Sequence, residues 1–397
     1  MSKTIVILGA SFAGIPVAHY LLTHTPDVKV ILVSPNTDIL WAAATVRGVV
    51  PGAGFEDKLF YPIAPGFAKY PADRFEFVIG KATGLDSASK TVTSSNDNET
   101  QTHRQIPYDI LVIATGSSAR DHMPWKTLSS TQETKDAFNN LRKEIQAAET
   151  IVVAGAGVTG AEVAGELAHA FIKKAQQQQK TKKVKKIILV GADNLPLHDS
   201  MTPSVRKAAK SYLEGLGVQF IGNAKIARVE PDVETGEKRA VLSFTNGKRE
   251  TETLGADVVL PTYGLVPNTS FLPLEMLDQK GFIKQTKYLR VEGQDDIFAI
   301  GDVGNLQPPQ NLHTDNQVVH VVKNIVAQLK GEKGTEYTYS NEVLFGASMG
   351  PDGGVGQVKG WKMPSFIVKV LRGKTLGTHF AADMVLGKRT VFRSKWA

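Results

Sequence analysis

The sequence predicts an α/β chain built from two doubly wound units, followed by a smaller α+β unit at the C-terminus. Three observations predict it. The apolar run Thr4-Ile-Val-Ile-Leu8 leads into Gly9-Ala-Ser-Phe-Ala-Gly14. A second run, Ile151-Val-Val-Ala154, leads into Gly155-Ala-Gly157-Val-Thr-Gly160. Beyond residue 330 the βαβ rhythm stops, and a glycine-rich stretch, Gly350-Pro-Asp-Gly-Gly354-Val-Gly-Gln357, takes over.

Each turn has a physical reading. A buried strand ends, and the chain must turn with positive φ or pass close to a ligand, which glycine permits. The helix that follows directs unpaired N–H groups and its positive dipole end at a pyrophosphate. A third glycine lets the helix pack closely. The second turn holds all three glycines; the first has Ser11 in the middle place. Two such turns predict two dinucleotides on one polypeptide, which means electrons passing from one to the other.

The elements follow in order. Ile5 to Leu8 reads as a strand, Ala13 to about Thr23 as a helix with Ala18, Leu21 and Leu22 inward, and Val28 to Val33 as the next strand. Phe75 to Ile79 and Lys90 to Thr93 read as strands, and 94–106 as a polar loop. Tyr108 to Thr115 is a buried strand ending at Gly116. Thr150 to Ala154 opens the second unit, with a helix over Val163 to Ile172 and a strand over Lys186 to Val190. Strands follow near Val218 to Ile221, Arg239 to Phe244 and Ala256 to Pro261. Asp296 to Ile300 is a short strand before Gly301-Asp302, and Gln317 to Leu329 a helix. The stretch Ser365 to Arg372 has two readings: a core strand beneath the nucleotide, or an amphipathic basic segment lying in a membrane interface.

Composition narrows the function. At 397 residues the chain suggests two or three domains. Hydrophobic content of 42% and charge of 21% are those of an ordinary globular protein. A strand begins almost at the N-terminus, so no signal or transit peptide is expected, and no apolar run is long enough for a transmembrane helix. There is no cysteine, which excludes thiolate metal sites and a redox-active dithiol. No metal cluster stands out. Electrons must leave the bound cofactor directly. The net charge of +7 is modest, and much of it sits in the lysine- and glutamine-rich run Lys173 to Lys186. That run reads as a solvated insertion, with contact to anionic lipid, nucleic acid or a 2′-phosphate as the sharper alternative.

The order Gly-x-x-x-x-Gly, Ala-Thr-Gly, Gly-x-Gly-x-x-Gly-x-Glu, Gly-x-x-Pro-Asn and Phe-Ala-Ile-Gly-Asp resembles the two-dinucleotide-domain flavoproteins. That group includes type II NADH:quinone reductases and apoptosis-inducing-factor-like proteins. The stretch Ala347 to Gly360 and the segment Ala43-Ala-Thr-Val-Arg47 resemble the apoptosis-inducing-factor-like mitochondrion-associated family, also called ferroptosis suppressor protein, and its fungal relatives. The resemblance spans essentially the whole chain. It implies two Rossmann-like domains in a glutathione-reductase-like FAD/NAD(P) fold: an FAD domain from 1–116 and 256–330, an NAD(P)H domain from 117–255, and a C-terminal α+β domain from 331–397.

The resemblance also implies site residues. FAD would lie along Gly9, Ser11, Phe12, Ala13 and Gly14, then past Ser34, Pro35 and Ala82, with Arg47 on the flavin side. Ala114, Thr115 and Gly116 would pass close to it, and Asp302 after Gly301 would bind the ribityl chain. NADH or NADPH would be held by Gly155, Gly157, Val158, Thr159 and Gly160, with Gly191 and Gly264 nearby and Glu162 near the nicotinamide. Two departures stand out. Ser34-Pro35-Asn36 replaces the acidic residue expected at the end of the second strand. Gly191 leaves no carboxylate to repel a 2′-phosphate, which permits NADPH, while Asp193 two residues later could still choose NADH. His313, Asp315 and Gln317 fall where members of the group approach the flavin. His313 is expected as an ordinary loop histidine or as a proton relay to a reduced quinone.

The implied activity is an FAD-dependent NAD(P)H oxidoreductase with a quinone or similar two-electron acceptor, cytoplasmic and in peripheral contact with a membrane. A tailoring oxidoreductase of a secondary metabolite is one alternative. The other is a non-catalytic, apoptosis-related DNA-binding flavoprotein, which no aromatic-interleaved basic motif supports.

Overall fold

The computed structural model describes residues 2–96, 102–177, 184–231, 238–245, 247, 251–339 and 344–394. The first unit begins with β1 (Lys3–Leu8), α1 (Gly14–His24), β2 (Val28–Ser34), β3 (Phe75–Ile79) and β4 (Ile110–Ile113). The second holds α2 (Thr131–Ala147), β5 (Thr150–Ala154), α3 (Val158–Ala168), β6 (Lys186–Val190), α4 (Pro203–Gly215), β7 (Gln219–Ile221) and β8 (Val258–Pro261). The chain then returns to the first unit with β9 (Ile297–Ala299) and α5 (Asn311–Leu329), and ends on β10 (Phe345–Ser348), β11 (Gly354–Val358) and β12 (Trp361–Met363).

Two parallel sheets organise the molecule. The first has the order β9-β4-β1-β2-β3, and the second β7-β6-β5-β8. Their strands are apolar throughout because helices and meanders cover both faces. Ile5, Val6, Ile7 and Leu8 are buried, as are Ile151, Val152 and Val153. In each sheet the glycine turn follows an inner strand, β1 or β5, at the point where the strand order reverses. That is where open α/β sheets bind ligands.

Three-stranded antiparallel meanders close one face of each unit. One is Lys81–Asp86, Thr91–Asn96 and Thr102–Pro107; the other is Ala224–Pro231, Lys238–Phe244 and Thr251–Ala256. The first occupies most of the stretch expected as a polar loop over 94–106. His103, Arg104 and Gln105 are exposed on this hairpin while Val92 and Ile106 are buried beneath it, so the polar composition misled. The strand β8 pairs with β5 in the second sheet, so the expected 255/256 boundary falls short of the return to the first unit. The crossing comes afterwards, where Leu265–Pro267 runs antiparallel to Ser117–Ala119. The helix α5 starts six residues before the expected Gln317, because its first turn lacks apolar periodicity.

The C-terminal unit combines the antiparallel sheet β10-β11-β12 with short helical segments. Ser365–Val368 and Lys369–Gly373 are helical, so the core-strand reading of Ser365 to Arg372 is corrected. Only Val368 among its large apolar residues is buried, while Phe366, Val370 and Leu371 are exposed. Of the lysine-rich run, residues 178–183 lie outside the described residues; Lys173 pairs with Asp352 at 2.8 Å. Among the described residues no helix is long and apolar enough to cross a membrane.

Candidate functional site

The two glycine turns are built alike. Gly9 and Gly155 have φ of +105° and +107°, a region that side-chain-bearing residues avoid. A Cβ on Gly14 would stand 1.8 Å from the Gly9 carbonyl oxygen, and one on Gly160 1.8 Å from that of Gly155. The first and third glycines therefore serve the turn itself. The middle place differs. A Cβ on Gly157 would meet nothing within 4 Å, so this position faces open space at the N-terminus of α3. In the first turn Ser11 occupies it and lines a cleft.

That cleft gathers most of the residues expected to hold FAD. Ser11, Phe12, Ala13, Ala114, Thr115, Gly116, Gly301 and Asp302 all line it, although they come from three separate stretches of chain. Their neighbours Ser117, Lys126, Asn311 and Thr314, not anticipated from the sequence, line it too. Asp302 accepts hydrogen bonds from Lys126 Nζ at 2.8 Å and Ser117 Oγ at 3.1 Å. The turn before it is held by Gln317, whose Oε1 accepts from the Gly301 amide at 2.8 Å.

The Gly-x-x-Pro-Asn motif acts on this cleft from behind. Asn268 Nδ2 donates to the Thr115 carbonyl at 2.9 Å, and Thr115 Oγ1 donates to the Asn268 carbonyl at 2.8 Å. The two crossing strands thereby fix the Ala114-Thr115-Gly116 turn. Gly264 sits on the same crossing with φ of +73°, against the Arg120 side chain.

Other expected residues stand apart from the cleft. Ser34 is buried at the end of β2, where its Oγ accepts from the Asn36 amide at 3.1 Å, with Pro35 between them. Ala82 is buried in the cluster of Val6, Leu8, Ile31 and Val33 and is not among the cleft-lining residues. Gly191 packs on Ala156 at the end of β6, with no room for a side chain. Asp193 is paired with Arg206 at 3.1 Å. Val158 and Thr159 form the first turn of α3. Asp315 is buried, accepts from the Phe392 amide and pairs with Arg393, so it ties α5 to the C-terminus. His313 lies in the first turn of α5 rather than in a loop, and donates to the Pro308 carbonyl at 2.9 Å.

Arg47 is not among the cleft-lining residues and instead ties the units together. From the short helix Thr45–Gly48 its Nε and Nη2 donate to both carboxylate oxygens of Glu166 on α3, at 2.8 and 2.6 Å. Its Nη1 donates to the Gly373 carbonyl at 2.8 Å. One buried guanidinium thus joins all three units, in the paired geometry a buried charge requires. One helical turn earlier on α3, Glu162 accepts from the Ser348 amide at 3.0 Å and faces Arg372 at 3.3 Å. Burial pushes its carboxyl above the ordinary range, and Arg372 and the Ser348 amide pull it back.

The residues fit the two implied groups. The first cleft offers a turn of amides, a dipole and a carboxylate at separated points along an extended ligand, and the second offers an open cradle at Gly157. No thiol lies beside either, since the chain has no cysteine.

Comparison with known proteins agrees. Residues 3–336 match the family model described as pyridine nucleotide-disulphide oxidoreductase. The chain is 38% identical to the oxidoreductase ptaL of Pestalotiopsis fici over 94% of its length and 96% of that protein's. It is 27% identical to ferroptosis suppressor protein 1 of Mus musculus, covering 94% of this chain and 93% of that one. Among solved structures, the sulfide:quinone oxidoreductase of Aquifex aeolicus superposes with a TM-score of 0.78 at 17% identity, over 97% of this chain and 92% of that one. The NDH2 of Plasmodium falciparum, solved with NADH, gives 0.74 at 14% identity over the full length of both. The chain belongs to the pyridine nucleotide-disulphide oxidoreductase family, as an FAD-dependent NAD(P)H oxidoreductase of the group that includes the ferroptosis suppressor and apoptosis-inducing-factor-like proteins.

Proposed function

We propose that the chain carries two electrons from NAD(P)H to a quinone or similar planar acceptor at a membrane surface. The supporting observation is the junction at Arg47, Glu166 and Gly373, where the two nucleotide units and the C-terminal unit meet. Bound FAD supplies hydride acceptance and onward electron delivery; the protein aligns and encloses it. Overall, NAD(P)H and one proton from solvent convert the quinone to its hydroquinone and leave NAD(P)+.

This chain's own residues have the following parts. The amides at Ser11 to Gly14 and at Gly157 to Gly160 would hold the two pyrophosphates. Asp302, steadied by Ser117 and Lys126, would accept hydrogen bonds from the ribityl hydroxyls. Glu162, bridging α3 to Ser348 and Arg372, would set where the nicotinamide half meets the C-terminal wall.

The C-terminal unit supports the membrane part of the reading. Trp361, Phe366, Val370 and Leu371 are 81%, 68%, 77% and 61% exposed, and Lys362, Lys369, Arg372 and Lys374 are interleaved with them. An exposed apolar patch with a basic surround suits an anionic bilayer interface, where a lipid-soluble acceptor would be found. Flotation with anionic but not neutral vesicles is expected.

Anaerobic titration tests the redox core. A yellow protein should bleach on addition of NADH or NADPH and recover colour when a quinone is added. Absence of bound flavin, or flavin that neither nucleotide reduces, would overturn the reading.

A further inference from the structure

The segment that leaves the first nucleotide unit for the second grips both. It departs through Ser117–Ala119, whose last residue pairs with Leu265, so Arg120 comes next to Gly264 on the neighbouring strand. A Cβ on Gly264 would stand 2.6 Å from Cδ and 2.7 Å from Nε of Arg120. The room that this glycine leaves is where the arginine arm lies. Asp121 and His122 follow with φ of +57° and +52°. Residues with side chains avoid this left-handed region, and two in succession persist where surrounding contacts hold them. Those contacts come a few residues later. Trp125 Nε1 donates to the carbonyl of Pro261, the last residue of β8, at 2.6 Å, and Lys126 reaches Asp302 in the flavin cleft at 2.8 Å.

The end of β8 brings a second side chain to the same place. Thr262 Oγ1 lies 2.9 and 2.8 Å from the carbonyl oxygens of Ala154 and Gly155, clamping β8 onto the second glycine turn. Tyr263 comes next, and a Cβ on Gly155 would stand 3.2 Å from its Cβ. Tyr263 is 43% exposed. Burial and the Asp121 charge push its phenol up while Arg120 pulls it down. Arg120, Asp121 and Tyr263 therefore share one locale, and the phenol stays a hydroxyl that can donate.

Topology tells which half of a dinucleotide passes here. The order β7-β6-β5-β8 puts β6 and β8 on opposite sides of the turn after β5. In such units the adenosine ribose is held at the end of the second strand, here β6, and the pyrophosphate sits on the helix N-terminus. The nicotinamide half then extends over the end of β8, toward Tyr263 and Arg120. A guanidinium matches a phosphate, and a half-exposed phenol matches a ribose beside a flat heterocycle.

We propose that Arg120 and Tyr263 bind the nicotinamide half of NAD(P)H, Arg120 at its phosphate and Tyr263 against its ribose and ring. Because the same segment carries Lys126 into the flavin cleft, it also sets that half in register with the flavin. The assignment rests on the reading of the second turn as the NAD(P)H turn.

Calorimetry on the flavin-loaded protein with 1,4,5,6-tetrahydro-NAD, which has the charge and shape of NADH but gives up no hydride, reads binding without turnover. AMP reads the adenosine half alone. Arg120→Ala should weaken tetrahydro-NAD about tenfold, the loss of one charge-assisted hydrogen bond, and Tyr263→Ala about fivefold. Both variants should keep the wild-type AMP affinity, Tm and flavin occupancy, and Arg120→Lys should recover part of the loss. In stopped-flow bleaching, Arg120→Ala should need about tenfold more NADH for half-saturation. Unchanged tetrahydro-NAD affinity in either alanine variant, or AMP weakened by the same factor, would overturn the proposal. A wild-type protein that binds neither ligand would instead overturn the reading of the second turn, and the proposal with it.

Discussion

The two glycine turns share a frame and differ at one position. Gly9 and Gly155 take nearly the same positive φ, and Gly14 and Gly160 press equally close to the turn carbonyl. Between them, the first turn has Ser11 in a lined cleft, and the second has Gly157 in open space. Outer glycines keep the turn folded, and the middle position decides what may approach it. A glycine pattern therefore mixes two signals, one for backbone geometry and one for ligand room, and only the middle residue reports the second.

The largest expected effect separates these signals within one turn. Gly160→Val drives a Cβ into the Gly155 carbonyl and into Thr262. It should cost over about 4 kcal/mol, as severe backbone clashes do, and yield little folded protein. Gly157→Val places its branched side chain in open space. Tm should hold near the wild-type value and flavin should stay bound, yet NAD(P)H should no longer bleach it. Loss of flavin along with reduction would break the assignment of the two turns to two nucleotides.

A second contrast lies in how the C-terminal unit grips each partner. It meets the second unit through Glu162, and the first through Arg47, Trp41 and His19. The His19 ring stacks on Phe67 at 4.0 Å, and its Nε2 donates to the Val385 carbonyl at 2.8 Å. Burial lowers its pKa from 6.5 to about 4. The unfolded chain takes up this proton below pH 6.5 and the folded one resists until about pH 4. Stability from this group is thus complete above pH 6.5 and declines as pH falls between those values, by about 3 kcal/mol in all. His19→Gln should flatten the fall of stability with acid over that window, measured by urea unfolding at several pH values. An unchanged slope would show that other groups carry it.

Asp302→Ala comes next in size. It leaves the glycine turns intact and removes the carboxylate that Lys126 and Ser117 hold in the cleft. Charged hydrogen bonds contribute roughly 1.5–3 kcal/mol each, so FAD should dissociate on a desalting column that wild type survives. Full occupancy would mean that the ribityl chain lies elsewhere.

The sequence carried much of this arrangement and missed identifiable parts. Periodicity and glycine spacing reveal β1, α1, β5 and α3, because buried parallel strands and tight turns constrain composition strongly. Of the meander over 81–107, the strand at Thr91 to Thr93 shows in the sequence, and the rest hid because a half-exposed polar hairpin has the composition of a loop. Lys126 was invisible as a site residue for a different reason. Its role arises from a contact 176 residues away in sequence, with nothing local to mark it, and Asn268, though part of the Gly-x-x-Pro-Asn motif, acts through a turn 153 residues away. Arg47 is marked by the resemblance as a flavin-side basic residue, but the structure pairs it with Glu166, one turn beyond the marked Glu162, and no motif required that partner. The exposure of Phe366, Val370 and Leu371 was equally illegible, since an apolar-basic alternation suits a buried strand or an interfacial helix alike.

The smallest expected effect tests the middle position directly. Ser11→Gly makes the first turn match the second. Glycine frees the unfolded backbone, so stability should drop by about 0.5–1 kcal/mol, a small shift in the urea midpoint. Flavin occupancy should stay complete if the turn amides and the α1 dipole hold the pyrophosphate, because those groups survive the change. If occupancy falls instead, the Ser11 hydroxyl is itself a phosphate donor. The first turn would then have exchanged room for a hydrogen bond, and the equivalence of the two turns would hold for the backbone alone.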